Sequence, residues 1–268
     1  MDLRIRGKVA IVTGASAGIG RAIACELAEN GVNVVLVARG AARLEATAIE
    51  IAGRYGTRTL AVPADVAQVS EPARVVERAD KELGGVDILV NNAGRAHAGG
   101  LLQATEADWA DMTETKLSAM RRFCQAVVPP MRARGWGRIV NISSIGGIYP
   151  NPKLLVSHTL SAAINNLTRG FALEVARDGI LVNAVGLGAV LTDNWQRNMI
   201  PAVRKRRPEL ASASDEEIVK QLGAEMTPIG RFAQPEEIAA IVAFLASARN
   251  SFITGDTIEA SGGADRFM

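Results

Sequence analysis

Apolar residues along the chain fall into two alternating patterns. Short, nearly unbroken runs of Val, Ile and Leu cover 8–13, 32–38, 57–62, 86–90, 138–143, 180–185 and 257–260. Runs of that kind predict strands buried on both faces of a sheet. Between them, apolar residues recur every three or four positions over 19–29, 41–54, 71–83, 108–134, 157–177 and 235–246. That spacing predicts amphipathic helices. Gly31, Gly56, Gly84, Gly85, Gly135 and Gly179 fall at the junctions, where chains turn between elements. Strand alternating with helix predicts an α/β fold, a doubly wound parallel sheet with right-handed crossovers and helices on both faces. No repeat or linker interrupts it, so 1–268 reads as a single domain. One stretch, 192–228, lacks a clear pattern and is too long for an ordinary connection, so it reads as an irregular lid or substrate loop. Trp195, Met199 and Ile200 read as its inner face. The basic run 204–207 reads as its outer face, solvated or serving as an anchor for a phosphate-bearing acyl carrier.

Composition narrows the classes of function. With 268 residues, 48% of them apolar, the chain can bury one large core. Lys and Arg number 30 against 28 Asp and Glu. That balance excludes the concentrated basic charge of a nucleic-acid binder. The two cysteines, Cys25 and Cys124, form neither a disulfide framework nor a metal site, which fits a reducing cytoplasm. No uncharged apolar run approaches the ~20 residues of a membrane span. The expected partner is therefore a small molecule, with no nucleic acid, membrane or metal.

Candidate chemistry begins after the first strand. Gly14, Gly18 and Gly20 are spaced G-x-x-x-G-x-G, directly before a helix. Such a turn lets the backbone approach a pyrophosphate, and the helix N-terminus then offers N–H groups to the anion. This predicts a dinucleotide site. An acidic residue at the end of the second strand would select NAD(H) by binding the ribose 2′-OH. Here Ala38 and Arg39 stand there. A guanidinium suits a 2′-phosphate, so NADP(H) is favoured over NAD(H).

Further segments extend the pattern: Asp65-Val66, Asn91-Asn92-Ala93-Gly94, Asn141-Ile142-Ser143-Ser144, Pro228-Ile229-Gly230-Arg231-Phe232 and Ile253-Thr254-Gly255. With the glycine turn, these resemble the classical short-chain dehydrogenases/reductases over nearly the whole chain. The resemblance implies one Rossmann-type sheet of seven strands in the order 3-2-1-4-5-6-7, and a homotetramer. It places Gly14, Ser16 and Ile19 at the phosphates and ribose, Asp65 and Val66 beside the adenine, Asn92 and Gly94 along the cleft, and Val190 and Thr192 at the nicotinamide amide.

The family's catalytic set is Asn, Ser, Tyr and Lys, with the lysine four residues after the tyrosine. Ser144 occupies the serine position. Thirteen residues on, the tyrosine position holds Ser157, and the lysine position holds Ser161. The asparagine position, seven residues after Trp109, is Lys116. Tyr149 and Lys153 match the string, but Pro150 and Pro152 between them oppose a helix. His158 lies about 100° around the helix from Ser157 and should point elsewhere. His97 borders the expected pocket. Two functions remain open. One is an NADP(H)-dependent oxidoreductase acting on a carbonyl, alcohol or enoyl group, with Ser144, Ser157, Ser161 and Lys116 at the reacting oxygen. The other is a catalytically silent dinucleotide-binding protein.

Overall fold

The computed structural model describes residues 2–265. The outermost residues of the expected 1–268 domain lie outside that range. All seven strands are parallel and form one sheet in the order β3-β2-β1-β4-β5-β6-β7. They are β1 (Val9–Thr13), β2 (Asn33–Ala38), β3 (Thr59–Pro63), β4 (Ile88–Asn91), β5 (Gly137–Ser144), β6 (Ile180–Leu187) and β7 (Thr257–Ala260). The crossovers are built on α1 (Gly18–Glu29), α2 (Ala41–Tyr55), α3 (Glu71–Leu83), α4 (Glu106–Met112), α5 (Ala119–Arg134), α6 (Leu155–Val175), α7 (Ile200–Arg206), α8 (Asp215–Met226) and α9 (Pro235–Leu245).

Alternation along each strand divides its side chains between two layers. Ala10, Val12, Val34 and Leu36 face one core, which is closed by Ile23 and Leu27 of α1, Leu44 of α2 and Val242 of α9. Val9, Ile11, Val35 and Val37 face the other, closed by Val75 of α3, Phe123 and Val127 of α5 and Ile164 of α6. Both faces are covered, which is why the strands read as unbroken apolar runs.

Two regions differ from the expected pattern. The helix expected over 108–134 starts at Glu106, because Thr105 and Asp108 form a reciprocal capping box ahead of it. Its middle, Thr113–Ser118, is a π-turn that joins α4 to α5. The 192–228 stretch is not irregular. It holds a π-turn at Trp195–Met199, then α7 and α8. Helix α8 is started by a second capping box, Ser214 with Glu217. Ile200, Leu210, Ile218, Leu222 and Phe232 form a small core of their own, with Trp195 packed against it. The Trp195 and Phe232 rings lie 4.6 Å apart. Trp195 and Ile200 therefore face inward as expected, but Met199 does not, being 38% exposed. The basic run is also less free than expected. Arg204 pairs with Asp215, and Arg207 with Glu225 and Glu209.

This satellite core depends on few side chains. Phe232→Ala should remove about 3–5 kcal/mol of local stability. Hydrogen exchange should then speed up across 195–226 and stay slow in β1, β4 and β5. Equal acceleration everywhere would show that the segment does not open by itself.

Candidate functional site

The carboxyl ends of the parallel strands share one edge of the sheet. The chain leaves β1 toward β2 on one side, and β4 lies on the other. That switch point opens a crevice, the usual place for a ligand in such sheets. Side chains at the two strand ends hold it in shape. The Thr13 hydroxyl accepts hydrogen bonds from the Asn92 and Ala93 N–H groups, each at 2.9 Å. Asn92 Nδ2 donates back to the Thr13 carbonyl at 2.8 Å.

The glycine turn permits no larger residue. Gly14 has φ 69°, and a Cβ on it would stand 2.8 Å from Asn92 Nδ2. A Cβ on Gly20 would collide with the Gly14 carbonyl oxygen, so α1 sits directly on its own turn. Ala17, the N-cap of α1, gives no side-chain cap, and no acidic residue lies in the first turn. The first N–H groups of this helix thus keep their capacity for an anion. Ser16 and Ile19 are partly exposed at this turn. Thr192, after β6, reaches across so that its methyl group lies 3.6 Å from where a Cβ on Gly18 would be.

The other expected contacts stand around the same edge. Arg39 follows β2, is exposed and has no ion pair among the described residues. Asp65 follows β3 and accepts from the Ala67 N–H at 3.1 Å, and Val66 beside it is buried. Gly94 follows β4 and is exposed. Val190 follows β6, is buried and bridges to Ala233. Close-approach glycines, an uncapped helix N-terminus and an exposed guanidinium together fit a phosphorylated dinucleotide.

Deeper in the crevice lies a second group of residues. Ser144 ends β5, and its hydroxyl accepts from the Gly146 N–H at 3.1 Å. Ser157 and Ser161 are buried on successive turns of α6. The Ser161 hydroxyl donates to the Ser157 carbonyl at 2.9 Å. Lys116 comes from the π-turn, with its stem against Gly94. Its Nζ lies 3.3 Å from Ser161 Oγ and 3.5 Å from the Ser157 carbonyl oxygen. Burial lowers its pKa to about 8. No carboxylate pairs with it among the described residues. Ser157 therefore meets the lysine through its carbonyl, and the hydroxyl that meets it is that of Ser161.

Both histidines have partners of their own. The His158 ring packs against Gly146, and its Nδ1 accepts from the Asn151 N–H at 2.9 Å. Burial, and then the Lys116 charge, lower its pKa. His97 Nε2 lies 3.1 Å from Asp108 at the start of α4. Hydrogen bonds from Thr105, and then His97, bring the Asp108 carboxyl down to about 2. Tyr149 and Lys153 sit in the connection between β5 and α6, outside any helix.

One polar feature was not singled out from the sequence. Asn91 Nδ2 donates to Asn141 Oδ1, and Asn141 Nδ2 donates to Thr168 Oγ1, both at 2.9 Å. All three residues are buried. They tie β4, β5 and α6 together beneath the crevice. Asn91 and Asn141 each open a segment of the family pattern, but nothing in the sequence joins them to each other or to Thr168.

Residues 8–200 match the family model described as short chain dehydrogenase. The chain belongs to the short-chain dehydrogenase family. A 3-oxoacyl-(acyl-carrier-protein) reductase of Aquifex aeolicus (strain VF5) is 35% identical over 98% of this chain and 99% of its own. The L-sorbose reductase of Gluconobacter frateurii, solved with NADPH and L-sorbose, is 35% identical, covers both chains fully and superposes with a TM-score of 0.92. A 3-oxoacyl-(acyl-carrier-protein) reductase of Agrobacterium tumefaciens C58, solved with NADP bound, is 32% identical over 98% of this chain and 96% of its own, with a TM-score of 0.87.

The buried asparagines should be intolerant of apolar replacement. Asn141→Leu leaves Asn91 Nδ2 with only its weak 3.6 Å bond to Cys124 Sγ and takes from Thr168 Oγ1 its Asn141 donor, at about 1–3 kcal/mol for each group left short of a partner. Urea unfolding should show that loss with an unchanged slope. A smaller loss than for an exposed substitution such as Lys205→Ala would refute the role assigned to the network.

Proposed function

We propose that this short-chain dehydrogenase is an NADP(H)-dependent reductase acting on a carbonyl or enoyl group through a non-classical site. NADP(H) is supported by relatives solved with NADP or NADPH. It is supported also by Arg39, which stands where an acidic residue would select NAD(H). Gly14, Ser16, Gly18, Ile19 and Gly20 would hold the pyrophosphate and adjoining ribose. Asp65 and Val66 would border the adenine, Asn92 and Gly94 the cleft, and Val190 and Thr192 the nicotinamide amide. When bound, the reduced dinucleotide supplies a hydride for the substrate carbon.

The observation that carries the reading is the Lys116 amine on Ser161 and Ser157, at the positions where the family places lysine and tyrosine. A serine hydroxyl cannot replace a phenol whose pKa is tuned by lysine. A cation in the same space can stabilise the negative charge that develops on the substrate oxygen. Ser144 would donate a hydrogen bond to that oxygen. The segment 192–228 would act as the lid, with Thr192 already over the glycine turn. The basic run supports a phosphate anchor only through Lys205 and Arg206, because Arg204 and Arg207 are paired. In this reading the protein is a homotetramer. Leu173 on α6 is 79% exposed and Phe252 before β7 is 95% exposed, which supports faces that meet other copies.

Calorimetry and turnover test this together. NADPH should bind more tightly than NADH. Arg39→Ala should weaken NADPH binding by roughly tenfold, the effect of about 1.4 kcal/mol, and leave NADH nearly unchanged. Oxidation of NADPH by a panel of 3-oxoacyl thioesters, ketoses and enoyl thioesters should identify a substrate. Tighter NADH binding would overturn the cofactor assignment. Binding without turnover on any substrate would favour the silent dinucleotide-binding protein.

A further inference from the structure

Lys116 is held in a way that leaves part of its chemistry unused. An ammonium has three N–H donors. Two acceptors lie within reach, Ser161 Oγ and the Ser157 carbonyl oxygen. The Ser161 hydroxyl has already given its proton to that same carbonyl, so toward Lys116 it acts only as an acceptor. One N–H therefore remains without a partner among the described residues. The side chain reaches this position over Gly94, which follows β4, and ends beside the first turns of α6. It lies between the turn after β4 and the start of α6, at the strand edge where a ligand in such sheets meets the protein.

The surroundings favour release of a proton. The three carboxylates that precede Lys116 most closely in the chain are engaged elsewhere. Glu114 pairs with Arg122, Asp111 with Arg95, and Asp108 with His97. From α6, the titratable group facing Lys116 is His158, whose own pKa is lowered partly by the lysine charge. From α5, the nearby Cys124 thiol is raised to about 12 by burial and does not ionise in the working range. Nothing on these elements offers the ammonium a fixed counter-charge. An acid serves best when its pKa lies near the working pH, and the Lys116 value of about 8 meets that condition.

Resting on the functional reading above, we propose that Lys116 is the proton donor of the reduction, giving its free N–H proton to the substrate oxygen. With hydride supplied to the substrate carbon, the carbonyl π pair would move onto oxygen. The O–H bond forms with the Lys116 proton, and the electron pair of the broken N–H bond stays on nitrogen. The neutral amine then keeps an acceptor in Ser161 Oγ and regains a proton from solvent. In the alcohol-oxidising direction the neutral amine accepts the proton. Lys116 thus takes the task of the family's tyrosine from the position of its asparagine.

The pH dependence has a definite sign. The ammonium is the active form for reduction and prevails below about 8. Reduction at saturating substrate should fall as pH rises through that value, and oxidation should rise.

Two experiments decide the matter. The first needs no turnover. The unsubstituted protein, alone and with NADP+, is acetylated briefly with a neutral reagent at several pH values, and each lysine is read by mass spectrometry. Lys116 should react with a midpoint near 8, against about 10.4 for exposed lysines. A midpoint equal to that of the exposed lysines would overturn the proposal. The second compares Lys116→Arg and Lys116→Met by pH–rate profile, with NADPH and the substrate found above. Arginine keeps the charge but does not release its proton, because its pKa exceeds 12. Lys116→Arg should lower kcat by about 10²-fold or more, change KM little and abolish the fall near 8. A Lys116→Arg enzyme that keeps its rate would leave only a fixed-charge role and overturn proton donation alone. Absence of turnover in the unsubstituted protein, with NADPH bound, would overturn the functional reading and this proposal with it.

Discussion

A parallel sheet buried on both faces has no room for polar chemistry except at the ends of its strands. Here that constraint governs everything else. The two cores take alternate residues of β1 and β2, and each inward position must be apolar or fully hydrogen-bonded. Catalytic and binding groups are driven to one edge, where loops after β1, β2, β3, β4 and β6 meet. The polar groups that do enter the interior serve that edge. Asn91, Asn141 and Thr168 satisfy one another. Thr13 and Asn92 lock two strand ends at the spacing the crevice needs. A site built this way is placed by the rigid sheet, and its loops need only carry the side chains.

Lys116 is the costly member of this arrangement. Taking an ammonium out of water without a carboxylate opposes its charge, and the lowered pKa records that opposition. Two neutral oxygens offset the penalty in part. A carboxylate would offset it better and would raise the pKa, making the lysine a poor acid. The absence of a fixed counter-ion among the described residues is thus a stability cost, and under the proposed role it would keep the amine reactive, as at functional sites where a local cost is retained.

Legibility in the sequence followed the physics. Strand runs such as 8–13 were readable because burial on both faces keeps them apolar throughout, and helices such as 71–83 because burial of one face imposes a period; the observed strands begin and end within two residues of their expected limits. The glycine turn was readable because only residues without a Cβ fit Gly14 and Gly20. The 192–228 stretch was not. Its first helix, α7, is short, and Pro201 and Pro208 interrupt the pattern. Its apolar residues pack on one another and on Phe232, which lies beyond its end. A periodic signal needs a longer helix on a larger core. The family register grouped Lys116 with Ser161, but which oxygens its amine meets was out of reach, since a hydrogen bond across 45 residues leaves no local trace.

The π-turn at Thr113–Ser118 joins these points. An i→i+5 turn inserts a residue into the helix and shifts the register of the turns C-terminal to it. The apolar stripe of α5 must still meet the core through Phe123, Val127 and Met131, while α4 is fixed by its capping box and by Met112, which is buried beside Val156 and Leu160. A uniform α-helix would couple the two stripes rigidly. The inserted turn lets each half follow its own packing and leaves Thr113–Ser118 with no fully buried residue. Lys116 comes from that turn, whose Leu117 packs on the cores of both halves. It is free of the helix core and long enough to cross Gly94 and reach α6. The same irregularity lets a lysine from this turn reach the buried serines of α6, beside which the proposed reaction would place the substrate oxygen.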